Sequence, residues 1–170
     1  PAEDALAPST LVAVERAAQD LRRGLAVIVR DPPRRRVVAI ATELATEAKF
    51  HALRRWGRAV PDLVLTHPRA VTLKIRRYTA DVVRIPLPEW LSDSEIRSLA
   101  DPAADLAHPM RGPFQARRDP VPETFAAAVK LAKIARLLPS VIAAVLPVRP
   151  GPGFAKVRSE LCVGNSAAVR

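Results

Sequence analysis

Apolar residues recur along this chain in two spacings that alternate. Leu11, Val14, Ala17, Ala18 and Leu21 fall three or four apart, which predicts an amphipathic helix. Ser9 or Thr10 can cap it, and Gly24 suits its stop near Arg23. Leu25 to Val29 is an unbroken apolar run too short for a helix and reads as a buried strand. Asp31-Pro32-Pro33 ends it, because two prolines remove two backbone donors. Val37 to Ala41 reads as a second strand, the antiparallel partner of the first.

Thr46 can cap a second helix, in which Phe50, Leu53 and Trp56 share a stripe before Gly57. Leu63-Val64-Leu65 is another strand, and Pro68 suits the first turn of a helix through about Ile75. Val82 to Ile85 reads as a strand. Ser92-Asp93-Ser94-Glu95 is a capping box for a short helix ending near Ala100. Residues 101–122 read as irregular, with Pro102, Pro109, Pro113, Pro120 and Pro122 among them. Helical spacing returns from Glu123 to Leu138, where Phe125, Ala128, Val129, Leu131 and Ala132 favour burial and Pro139 stops the helix. Val141 to Leu146 reads as the final strand. Pro147, Pro150, Gly151, Pro152 and Gly153 then have linker composition. The order predicts a single mixed α+β domain over residues 8–147, followed by a linker and an unstructured tail over 148–170.

Composition narrows this picture. With 170 residues, of which 49% are hydrophobic, the chain can bury a core, so wholesale disorder is excluded. Arg or Pro interrupts every apolar run before it reaches membrane-spanning length. The first ten residues carry Glu3 and Asp4 and lack the basic start of a signal peptide. Cys162 is the only cysteine, which excludes an internal disulfide and a zinc site built mainly from thiolates of this chain. The chain starts at Pro1 and its only methionine is Met110, as expected for a processed or truncated piece of a longer product.

The net charge is +10, and 22 of the 27 basic residues are arginine. Residues 31–84 carry twelve basic and five acidic side chains, whereas residues 85–120 carry four and six. A sequence pI near 11 raises the reading of a basic nucleic-acid-binding module. No reader motif accompanies it, aromatics scarcely interleave with the arginines, and abundant Ala, Arg and Pro equally fit a biased coding composition. That module therefore ranks third among the functional readings.

The first eighty residues resemble a dihydroxybutanone phosphate synthase of riboflavin biosynthesis. The resemblance lies in Glu15-Arg16-Ala17, Asp20-Leu21-Arg22-Arg23-Gly24, Val27-Ile28-Val29 and Asp31. It continues through Ala39 to Glu43, Ala45-Thr46-Glu47, and Leu63 to Thr66 with Pro68, Arg69, Ala70 and Leu73. A wider resemblance, over about residues 8–146, is to the synthase-like N-terminal region of a bacterial, alphaproteobacterial type of GTP cyclohydrolase II. Leu99 to Pro102, Asp105-Leu106, Pro109, Arg111 to Phe114 and Leu137-Leu138-Pro139 carry that part.

The resemblance implies a synthase-like sheet with packed helices and a cytoplasmic location. It places the ring-opening of GTP, with release of formate and pyrophosphate, in a zinc-bearing catalytic domain outside this chain. That synthase family holds magnesium on a loop of successive acidic residues, where hard cations find clustered carboxylate oxygens. Here Pro32-Pro33-Arg34-Arg35-Arg36 stands instead, and the family's histidine-glycine-histidine-threonine segment is replaced by scattered His51, His67 and His108. No catalytic, cofactor-binding or metal residue is therefore expected. The expected role is docking against the catalytic domain or homodimerisation, with no membrane. The alternative is a divergent synthase acting on ribulose 5-phosphate.

Each remaining chemical candidate has a plainer reading. Arg34-Arg35-Arg36 has the guanidinium groups to grip a phosphate, but reads more simply as a solvated turn. Arg54, Arg55 and Arg58 read as the wet face of a helix whose stems also cover apolar surface. His67 is expected at the N-cap before Pro68. Asp101, Asp105 and His108 lie within eight residues but on a proline-rich loop without a supporting frame. Trp56 and Trp90 read as core or rim aromatics. Ser159-Glu160-Leu161-Cys162 faintly echoes the Ser-Glu-Cys segment before the zinc cysteines of GTP cyclohydrolase II, and Lys156 and Arg158 lie close enough in sequence to bear on the Cys162 thiol.

Overall fold

The computed structural model describes residues 9–31, 35–109, 112–147, 157 and 159–162. Helix α1 (Thr10–Arg22) starts at Ser9, whose hydroxyl accepts a hydrogen bond from the Val12 N–H. Val14, Ala17, Ala18 and Leu21 are buried as their spacing predicts. Leu11, at the margin of that stripe, is 61% exposed. Gly24 takes φ of +73°, and the Gly24 and Leu25 N–H groups donate back to Leu21 and Asp20 carbonyls. That cap occupies Leu25, so strand β1 (Val27–Asp31) begins two residues later than the apolar run suggests.

Strand β2 (Arg35–Ala41) pairs antiparallel with β1, Val27 facing Ala39 and Asp31 facing Arg35. Helix α2 (Glu47–Trp56) is capped by Thr46 and buries Phe50 and Leu53. At Gly57 a Cβ would stand 2.9 Å from the Ala144 Cβ, so glycine lets the end of α2 lie against the sheet. Strand β3 (Asp62–Thr66), helix α3 (His67–Thr72), strand β4 (Val82–Pro86) and helix α4 (Asp93–Ala100) follow. The Ser92–Glu95 capping box is formed in full. Among the described residues between α4 and helix α5 (Glu123–Ile134), the chain is irregular apart from one 3₁₀ turn, Pro102–Ala104. Strand β5 (Ser140–Val145) comes next, and strand β6 (Ser159–Cys162) after it.

Three further differences from the sequence expectation have structural reasons. Helix α3 stops at Thr72 because Lys74 enters the left-handed region and the Ile75 N–H turns back to the Ala70 carbonyl. Helix α5 ends at Ile134, before Leu138, because Arg136 does the same and Leu137 N–H reaches the Ala132 carbonyl. The expected unstructured tail is corrected at Ser159–Cys162, which pair in parallel with β1, so β5 is not the final strand. Val157 also packs against the core, while the rest of residues 148–170 lies outside the described residues.

The six strands form one mixed sheet in the order β4-β3-β5-β2-β1-β6. Successive side chains sort to opposite faces, as period two requires. Val27, Val29, Val37, Ala39, Val64, Val141 and Ala143 join α1 and α5 in one core. Ile28, Val38, Ile40, Leu63, Leu65, Ile142 and Ala144 join α2, α3 and α4 in the other. Burial on both faces explains why the strands read as continuous apolar runs rather than alternating ones. No helix among the described residues is long and apolar enough to cross a membrane.

Candidate functional site

A cavity of about 550 Å³ opens where α5, the loop before β4 and the end of β6 meet. Its polar wall comprises Tyr78, Asp81, Arg118, Glu123, Lys130 and Cys162. Arg118 lies 5.1 Å from the centre of the Tyr78 ring, and Arg76 lies 5.9 Å from it, so this aromatic carries two guanidinium neighbours. The volume suits a small molecule. The polar groups balance in sign, two basic against two acidic.

Cys162, half-buried at the end of β6, is opposite Arg30 in the parallel register and connects the cavity to the β1–β2 sheet end. There Arg30 faces Arg36 and Asp31 faces Arg35. Arg30 forms an exposed 3.5 Å ion pair with Glu160. Asp31 is the only carboxylate among the described residues of the two strands. Arg34, expected in the same turn, lies outside the described residues.

The cavity's flank is fixed by a charge cluster that sequence reasoning missed. Arg84, in β4, is only 5% exposed and lies 5.0 Å from the centre of the Phe125 ring. One of its nitrogens donates to Asp119 Oδ2 at 2.5 Å, and the other lies 3.6 Å from Asp62 Oδ2. Arg117 Nε donates to Asp62 Oδ1 at 2.7 Å, and the Arg117 backbone N–H donates to the Arg84 carbonyl. Two carboxylates and two guanidinium groups thus lash residues 117–119 to β3 and β4, beside Arg118 and Pro120 of the cavity wall. Burial pushes the Asp62 carboxyl above its ordinary range, against the pull of Arg117 and Arg84. The bond from Arg84 holds Asp119 below that range. The legible signal was charge inside an apolar strand run, Arg84 between Val83 and Ile85.

A second arginine accounts for the aspartates of the proline-rich loop. Arg69 is 8% exposed and donates bidentately to Asp105 at 2.6 and 2.7 Å, and also to the Leu99 carbonyl. Asp101 instead caps the following turn by accepting from the Ala103 N–H. The structure therefore does not join Asp101, Asp105 and His108 as a ligand set; among the described residues no such metal-holding group occurs.

The other candidates also find structural places. Thr66, not His67, is the N-cap of α3; His67 is its first residue, with Nε2 buried and without a hydrogen-bond partner. His51 lies 3.5 Å from Glu47 on the surface of α2. Arg55 and Arg58 are exposed, but Arg54 lies over the Phe50 ring at 4.6 Å and donates to the Leu87 carbonyl. Trp56 packs half-buried against the core, whereas Trp90 is exposed. Ser159 donates to Asp20 and Leu161 is buried, so the Ser-Glu-Leu-Cys segment serves as an edge strand. Lys156 and Arg158 lie outside the described residues.

No protein-family model matches the sequence. Among solved structures, the fold is shared with a 3,4-dihydroxy-2-butanone 4-phosphate synthase of Candida albicans at a TM-score of 0.68 and 21% identity, over 89% of this chain and 93% of that one. It is also shared with a two-domain synthase from A. baumannii at a TM-score of 0.62 and 14% identity, over 88% of this chain and 55% of that one. A synthase solved with two magnesium ions gives a TM-score of 0.62 and 19% identity, over 86% and 81% of the respective chains. The chain thus has the dihydroxybutanone phosphate synthase fold. In sequence it is 34% identical over 132 residues to a GTP cyclohydrolase-2 of Azospirillum brasilense, covering 78% of this chain and 34% of that protein. In fold the chain is thus similar to 3,4-dihydroxy-2-butanone 4-phosphate synthases, and in sequence to a region of a GTP cyclohydrolase-2. The chain spans about a third of that relative's length.

Magnesium does not fit the donor set at the β1–β2 sheet end. A hard cation needs several carboxylate or carbonyl oxygens, and the described strand ends here offer Asp31 among Arg30, Arg35 and Arg36. Arg35, opposite Asp31 in the ladder and on the same face, also repels a divalent cation.

Proposed function

We propose that this chain is the non-catalytic, synthase-like region of a longer GTP cyclohydrolase II in riboflavin biosynthesis, working in the cytoplasm by docking against the catalytic domain or by pairing with its own copy. The observation that carries this reading is a synthase-like sheet whose β1–β2 end bears Arg30, Arg35 and Arg36 but a single aspartate, Asp31. The single Cys162 supports the same reading, since the three-cysteine zinc site that the resemblance places in the catalytic domain cannot be built from it. Zinc and GTP chemistry then belong to the part of the protein beyond this region.

The role is tested by co-expressing the chain with the remaining two-thirds of its Azospirillum relative. Co-purification, or a stable dimer of the chain alone in sedimentation equilibrium, is the expected result. A chain that stays monomeric and separate from that segment would overturn the docking role. Purified by itself, the chain is expected neither to retain zinc nor to consume GTP.

A further inference from the structure

We infer that the surface around Trp90 is a docking site for a polypeptide partner that presents a basic side chain beside an apolar one. This is independent of the reading above, because it rests on a different part of the molecule. Trp90 follows β4 and is 74% exposed. It forms the ridge between two cavities. One, of about 380 Å³, is walled by Leu91, Leu99, Pro113 and Phe114, with Glu95 and His108 at its polar side. The other, of about 400 Å³, is lined by Glu47, Glu89 and Asp93, with Phe50 and Arg54. Leu106, 95% exposed, lies in the same inter-helix segment as His108 and Phe114.

Charge says what covers this surface. The chain carries +10 overall, yet the two cavities gather four carboxylates against one arginine. The side chains of Glu47 and Glu89 are 82% and 88% exposed. Arg54 is turned inward, donating to the Leu87 carbonyl and lying over Phe50 while also meeting Glu89, so it fills little of the opening. Bonds from Arg97 and Ser92 hold Asp93 and Glu95 below the ordinary carboxylate range, so both are ionised at neutral pH.

An indole face among carboxylates attracts guanidinium or ammonium groups. The neighbouring apolar slot accepts an aliphatic anchor, and an aromatic at the centre of such a contact is where binding energy concentrates. Charge complementarity therefore selects a basic segment with an adjacent apolar residue.

The test titrates the chain with a short peptide carrying leucine next to adjacent arginines, followed by calorimetry and tryptophan fluorescence. A matched peptide with citrulline in place of arginine is the control. Binding that weakens with salt is expected, falling about tenfold for the citrulline peptide, for W90A and for the E47Q/E89Q double variant. Trp90 is exposed, so W90A is expected to keep its circular dichroism spectrum, and the double variant gives the same reading without touching the indole. Absence of binding at low salt, or equal affinity in all variants, would overturn the proposal. So would self-association of the peptide-free chain that W90A abolishes, because it would assign the surface to a second copy.

Discussion

Two charge-rich regions of this molecule meet opposite fates. In the Arg84 cluster every carboxylate has a guanidinium partner, and the pairs join positions 22 to 55 apart in sequence. At the β1–β2 sheet end, Arg30 faces Arg36 across the ladder, with Asp31 and the neighbouring Glu160 as the described counter-charges. The first arrangement holds a wall of the cavity in place. The second offers a divalent cation few oxygen donors among the described residues.

The comparison breaks most readily at Arg84. R84A leaves Asp62 buried with one of its two partners gone, and is expected to lower stability by about 3 kcal/mol, read from the urea midpoint. A loss below about 1 kcal/mol would mean that the cluster does not hold the 117–119 segment. Replacing Arg84, Asp62 and Arg117 together by apolar residues of similar volume is expected to recover most of that loss.

Acid separates the members of the cluster. Asp119 lies below its ordinary value of 3.8 because of Arg84, so its contribution is present above that value and fades as pH falls through the lowered pKa. Asp62, raised by burial, has the opposite sign: its contribution is full below 3.8 and fades as pH rises through the folded-state pKa. The stability difference between the native chain and D119N should therefore shrink as pH falls below 3.8. A difference constant from neutral to strongly acidic pH would contradict the Arg84–Asp119 assignment.

The smallest effects belong to the sheet end. Among the described residues R30A breaks an exposed pair with Glu160, and it is expected to change stability by less than about 0.5 kcal/mol. Magnesium is expected to leave the thermal midpoint of the native chain unchanged. A magnesium-dependent rise would show that oxygen donors are assembled there after all.

Much of the scaffold was legible because burial imposes spacing. The stripes of α1, α2 and α5, the Ser92–Glu95 box and the apolar runs of β1 to β5 all follow from local patterns. Strand β6 was not, since a four-residue segment beyond a Pro/Gly-rich stretch carries no period, and only pairing with distant β1 makes it a strand. The ends of α3 and α5 were hidden because Lys74 and Arg136, not glycine, take the left-handed turn. At the β1–β2 sheet end, the basic character of Arg35 and Arg36 could be read directly. The partners of Asp62 and Arg69 could not, because they lie more than 20 positions away and touch only in the folded chain.

The most direct test of the central claim is a formate assay, because the synthase reaction on ribulose 5-phosphate and the cyclohydrolase reaction on GTP both release formate. The purified chain is supplied with ribulose 5-phosphate and magnesium in one assay, and with GTP and zinc in another. No formate above the protein-free control is the predicted result in both. Saturable formate release from either substrate would contradict the assignment of this chain as a non-catalytic region.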